Sequence, residues 1–178
     1  AVANGRKNDL LIFSLCNPYI SSTFNPFAGG TPEQITERIF SSFEFSNEYY
    51  KNIQFSALRM VIALLMVRGE KPMPGVIREL LRDKSKLQSW AQGISDKSLL
   101  REIDDALKLS DEKFTENYSG LVTDLGWFSQ GESAKLFNTR NPEIDLLDAI
   151  KRQKICYFQL PTNLMQFLGS ETGKLVVQ

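Results

Sequence analysis

The chain has 178 residues, 42% of them hydrophobic and 24% charged, with 21 basic residues balanced by 21 acidic ones. Those proportions suit an ordinary globular domain with a real core, and they exclude a bulk positive field that would hold nucleic acid non-specifically. The sequence contains no histidine, which removes Ser-His-Asp and Cys-His nucleophile systems, HExxH zinc helices and any histidine base.

Ala1 to Asp9 is polar and charged, unlike a signal peptide. The longest near-continuous apolar stretch, Met60 to Val67, falls far short of the ~20 residues that span a bilayer. A soluble piece is expected. Leu10 to Cys16 reads as a buried strand ending at Asn17-Pro18, and Ile155 to Leu160 as a second. Both faces of each run are apolar, so each strand needs neighbours on either side and helices above and below. Cys16 and Cys156 fall inside these runs, where small buried thiols are expected and a disulfide or two-cysteine metal site is not; the pattern suits a reducing compartment.

Between the strands the chain reads almost wholly as helix. Pro18 and Pro26 hold Tyr19 to Phe27 as an extended link, and Ala28-Gly29-Gly30 makes a turn. Thr31 caps the first helix, with Pro32 at its first position and Gln34 completing a capping box. Ile35, Ile39, Phe40 and Phe43 form its apolar stripe. Ser46 is expected to cap the longest helix, which runs to Arg68 and stops at Gly69. Its first half is amphipathic through Tyr49, Tyr50, Ile53 and Ala57; Leu58 to Val67 is apolar nearly all round and should be the central buried helix. The aromatics Phe40, Phe43, Phe45, Tyr49, Tyr50 and Phe55 are read as core at one helix junction.

Lys71 to Gly75 reads as a loop. Short helices follow on Val76, Ile77, Leu80 and Leu81, and on Leu87, Trp90 and Ala91. Ser95 or Asp96 caps a helix carrying Leu99, Ile103 and Ala106, and Ser110 or Asp111 opens a longer one through Phe128. Gly131 to Asn141 is polar and turn-rich, a boundary signal. Asn141-Pro142 is expected to start a short helix with Ile144, Leu147 and Ile150. The second strand comes next, and after Pro161 a helix with Leu164, Met165, Phe167, Leu168, Leu175 and Val176.

Chemistry-bearing motifs are weak. Ala28-Gly29-Gly30-Thr31 precedes a helix N-terminus, where anions bind, but lacks phosphate-loop spacing and a following lysine. Gly169-Ser170-Glu171-Thr172-Gly173-Lys174 is one residue short of a GxxxxGK[ST] loop and falls within a helix. Asp104-Asp105 and Asp111-Glu112 point about 100° apart on their helices and read as solvated surface. Asp145 and Asp148 suit the positive end of a helix. The densest basic cluster is Arg78, Arg82, Lys84 and Lys86, with Trp90 near. It is the candidate contact for nucleic acid or an acidic peptide, against the plainer reading of a solvated helical face.

Strand, then Ser22-Thr23-Phe24-Asn25-Pro26-Phe27, then Gly30-Thr31-Pro32-Glu33-Gln34-Ile35 with Arg38-Ile39, resembles the entry into the all-α domain of type IV secretion coupling proteins, the TraG/TraD class of conjugation ATPases. Asp145 to Ile150 with Lys154 to Pro161 looks like the return into their RecA-like motor, and Gly173 to Gln178 is similar to the helix that follows. The resemblance implies a mainly α fold. Residues 1–30 and 141–178 would belong to a truncated RecA-like α/β domain, and residues 31–140 would be an all-α domain inserted between its strands.

It further implies a hexameric, inner-membrane-anchored DNA translocase that delivers cargo to a secretion channel. This chain would be a cytoplasmic, monomeric recognition domain for relaxase, relaxosome or secreted protein substrates, with single-stranded DNA as a further candidate contact. Walker A would precede Ala1 and Walker B follow Gln178, so ATP and magnesium belong to the parent motor. No catalytic, cofactor-binding or metal-ligating residue carries over, and no enzyme activity is expected of the piece itself. The alternative is a fragment of another RecA-like secretion or DNA-pumping ATPase; a free-standing helical adaptor sits poorly with two orphan strands.

Overall fold

The computed structural model describes residues 5–45 and 47–177; Ser46, the expected helix cap, and Gln178 lie outside the described residues. Two short strands, β1 (Leu10–Ser14) and β2 (Ile155–Gln159), pair in parallel with Leu10 opposite Ile155 and Ser14 opposite Gln159. A parallel pair needs a long crossover, and here it carries most of the chain. Nine helices among the described residues make the molecule mainly helical.

The first strand is shorter than its apolar run suggests. Ser14 Oγ accepts from Asn17 N at 3.1 Å, which turns the chain at once. Cys16 is therefore exposed beyond the strand, not buried in it, and Cys156 is half-buried. On the far side of β1, Ile12 O accepts from Ser22 N, and Ser14 N donates to Ser21 Oγ at 2.8 Å. The groups of Leu11, Phe13 and Leu15 consequently face β2. On β2, the ladder uses Ile155, Tyr157 and Gln159, and the main-chain groups of Cys156 and Phe158 point outward. They meet no partner among the described residues. One face of the pair is sealed: Phe13 and Phe158 pack at 5.4 Å between centroids, with Phe24 and Phe137 against them. The other presents Leu10, Ile12, Ile155 and an exposed Tyr157.

The link after β1 is more than a spacer. Phe24, Asn25, Pro26 and Phe27 are all buried. Asn25 Nδ2 donates to Pro72 O at 2.9 Å and Thr139 O at 3.0 Å, and its Oδ1 accepts from Phe27 N. Next comes α1 (Pro32–Ser42) with the expected reciprocal cap between Thr31 and Gln34. The turn before it offers no phosphate cradle. Arg38 donates to the carbonyls of Pro26, Ala28 and Gly29, and Thr31 N is taken by Gln34 Oε1.

Asn47 caps α2 (Glu48–Val67), whose Leu58, Val61, Ile62, Leu64 and Leu65 have no exposed surface. It is the central buried helix. Tyr49, by contrast, is largely exposed at its first turn, packing edge-on against Tyr50. Pro74 and Gly75, read as loop, form the first turn of α3 (Pro74–Arg82), and α4 (Lys84–Ala91) follows, capped by Asp83. Asp96 caps α5 (Lys97–Lys108), and Ser110 caps α6 (Asp111–Ser129). The main packing runs α3 on α6 and α1 on α2, with α2 also against α3, α5 and α6.

Three further expectations are corrected. The polar stretch from Gly131 contains α7 (Ala134–Phe137), and its Leu136 and Phe137 lie in the core. No helix starts at Pro142. Ile144 pairs with Phe24 as a bridge, Ile144 N donating to Thr23 O at 3.0 Å, so the chain stays extended until Asp145 caps α8 (Leu146–Lys151). Leu164 likewise sits in an exposed turn, with Leu164 N and Met165 N both closing on Pro161 O, before α9 (Gln166–Val177).

Candidate functional site

The five sequence candidates do not form one basic patch. Arg78 on α3 lies half-buried against α6, its Nε donating to Val122 O at 3.1 Å. Burial pulls its guanidinium below the ordinary range, and neighbouring Arg82 adds to that. Trp90 of α4 packs elsewhere, with the Arg68 guanidinium 5.8 Å from its ring centre.

The other three come together. Arg82, Lys84 and Lys86 line an open groove of about 550 Å³ between α3, α4 and the start of α6, with Glu79, Asp83 and Asp111 interleaved. Lys84 Nζ donates to Leu109 O, closing the turn after α5, and pairs with Asp111 at 3.1 Å. Lys86 pairs with Glu79 at 3.0 Å. Arg82 is exposed and makes no hydrogen bond or ion pair among the described residues. An exposed pair such as Lys86–Glu79 contributes roughly 0–1 kcal/mol and can open for a partner, whereas Lys84 is part-buried. Phe114 gives the groove an apolar floor. Alternating charge above an aromatic floor suits a polypeptide with charges of both signs better than a phosphate backbone, which wants an unbroken positive track.

Sequence reasoning missed a second polar cluster, in the interface of α1, α6 and α9. Glu171 is 4% exposed, and its Oε1 accepts from Lys174 Nζ at 2.9 Å. Lys174 also donates to Ser42 O at the end of α1 and stands 3.9 Å from Glu44. Glu171 Oε2 and the Thr172 hydroxyl are buried with no hydrogen-bond partner among the described residues. On α6, burial, with the Glu171 charge adding, pushes the Asp124 carboxyl up to about 6. The signal available was a lone acid in the apolar run from Phe167 to Val177, masked by its resemblance to a phosphate loop.

Among the described residues, no group of three or more His, Cys, Asp or Glu side chains is arranged to hold a metal ion, and no helix is long and apolar enough to cross a membrane. No family model matches the chain, and no curated protein matches it.

Proposed function

We propose that this chain is a cargo-recognition domain of a type IV secretion coupling protein, one that brings relaxase, relaxosome or secreted protein substrates to a DNA-translocating ATPase. One observation carries the reading: β1 and β2 are adjacent and parallel, yet α1 to α8 lie between them in the chain. A block inserted between neighbouring strands of a larger parallel sheet has this connectivity. The outward main-chain groups of Cys156 and Phe158 and the half-open face around Tyr157 are where such a sheet would continue. On this reading ATP and magnesium belong to the parent motor, a hexamer at the bacterial inner membrane, and the domain itself is cytoplasmic.

The groove of Arg82, Lys84 and Lys86 is the contact surface we assign to cargo, with Arg78 supporting α3 from behind and Trp90 outside it. Immobilised chain should retain a relaxase or another relaxosome protein, and Arg82→Glu should weaken that retention at least fivefold at 50 mM salt. Failure to retain any relaxosome component, or ATP hydrolysis by the purified chain, would overturn the reading.

A further inference from the structure

Leu147 and Ile150, the expected apolar stripe of a short helix, stand in water on α8. They are 69% and 74% exposed, whereas Ala149 is buried and Leu146 packs against the core. Positions 147, 150 and 151 are three and four apart, so Leu147, Ile150 and the exposed Lys151 share one face of the helix. Cations gather beside that face from the other end of the chain. Arg6 donates to Gln153 O, and Lys154 Nζ donates to Asn8 O at 2.9 Å and pairs with Asp9 at 3.2 Å. The turn Lys7–Asp9 before β1 is thereby stitched to the turn that ends α8, where Gln153 N donates to Ile150 O at 3.1 Å. Arg6, Lys7, Lys151, Arg152 and Lys154 meet two carboxylates there, Asp9 and Asp148. Asp145 is held at the far end of α8 as its cap. The side chains of Lys7 and Lys151 are exposed and make no hydrogen bond or ion pair among the described residues. The last turn of a helix favours cations, but that does not account for two aliphatic side chains in water beside them.

We infer that this face docks on the surface of an anionic phospholipid bilayer. Leu147 and Ile150 enter the boundary between headgroups and acyl chains, and the cations around them meet lipid phosphates. Charge complementarity alone would also admit a nucleic-acid strand. Such a strand, however, stacks its bases on aromatic rings and offers no apolar layer for Leu147 and Ile150. The exposed pairing of aliphatic and basic side chains therefore selects the bilayer. The inference stands apart from the coupling-protein reading, since it needs only this face and its charge.

Flotation of the whole chain with phosphatidylcholine vesicles containing about 30% phosphatidylglycerol, at about 0.1 M salt, tests this. The chain should float with these vesicles, stay behind with pure phosphatidylcholine, and float less at about 0.5 M salt. Each cation near the surface strengthens binding about fivefold, so Lys7→Gln combined with Lys151→Gln should weaken it about 25-fold. Leu147→Ser combined with Ile150→Ser should weaken it on the order of tenfold. All four side chains are exposed, so both variants should keep the parent's circular dichroism. Absence of flotation with the phosphatidylglycerol vesicles overturns the proposal. So does undiminished flotation of the serine variant, which would reduce the contact to charge alone. If the chain ignores the vesicles and instead holds a single-stranded oligothymidylate that the glutamine variant releases, the surface belongs to nucleic acid and the proposal falls.

Discussion

Asn25 shows how a single residue can carry more of the fold than its sequence context reveals. In the sequence it is one half of Asn-Pro, a turn signal. In the structure its side chain is buried and joins three segments: its own turn at Phe27, the approach to α3 at Pro72, and the chain after α7 at Thr139. Nothing local announces the last two, which are 47 and 114 residues away. Asn25→Ala would leave a buried N–H and two carbonyls without partners. Each orphaned group costs on the order of 1–3 kcal/mol, so we expect a loss of about 2–4 kcal/mol after local relaxation. Urea unfolding, comparing midpoints at constant slope, measures it; a loss below about 0.5 kcal/mol would mean that water takes over these bonds. Arg82, Lys84 and Lys86 teach the converse. Their charges were plain in the sequence, but their interleaving with Glu79, Asp83 and Asp111 depends on how α3 and α4 meet α6.

At the scale of elements, what was legible is what chemistry writes locally. The Thr31–Gln34 capping box and the burial of Leu58, Val61, Ile62, Leu64 and Leu65 on α2 follow from neighbouring residues alone, whereas Met66 and Val67, expected in the same buried stretch, are exposed. Two of the errors fall where a distant segment decides. Residues 142–145 are extended because Ile144 pairs with Phe24, and α7 exists because Leu136 and Phe137 find a core made by β1 and α6. Strand length also escaped the apolar run, since the Ser14–Asn17 hydrogen bond ends β1 before Cys16.

The open edge of β2 has a consequence at the same scale. An edge strand with free main-chain groups and an apolar face invites pairing with another copy, and a lysine there discourages it. Tyr157 is 56% exposed on that face. Tyr157→Lys should therefore leave the unfolding midpoint within about 0.5 kcal/mol of the parent while lowering light scattering at high protein concentration. Unchanged scattering would show that the edge is already protected in solution.

For the whole molecule, the question is whether the strand pair and the helical block stand or fall together. The contacts argue that they do. Phe137 has no exposed surface and packs 5.4 Å from Phe13 of β1 and 5.1 Å from Phe128 of α6; Phe128 in turn meets Phe27 at 5.9 Å. This aromatic chain runs from the sheet through the short α7 into the longest packed helices, and Phe24 and Phe158 close it on the sheet side. Phe137→Ala would open a cavity between the two halves and should cost about 3–5 kcal/mol. If the halves form one cooperative unit, urea should unfold them at a single midpoint in this variant too. Emission from Trp90 and Trp127, both in the helical block, would then fall together with exchange protection of the β1 amides. Separation of the two probes, with β1 lost first and tryptophan emission unchanged, would assign the strand pair to a unit that the helical block does not stabilise. That outcome would strengthen the view of the strands as part of a larger sheet. Coincidence would show that the strand pair and the helical block are coupled through more than the Phe137 ring, with Phe24 and Phe158 carrying the rest of the contact.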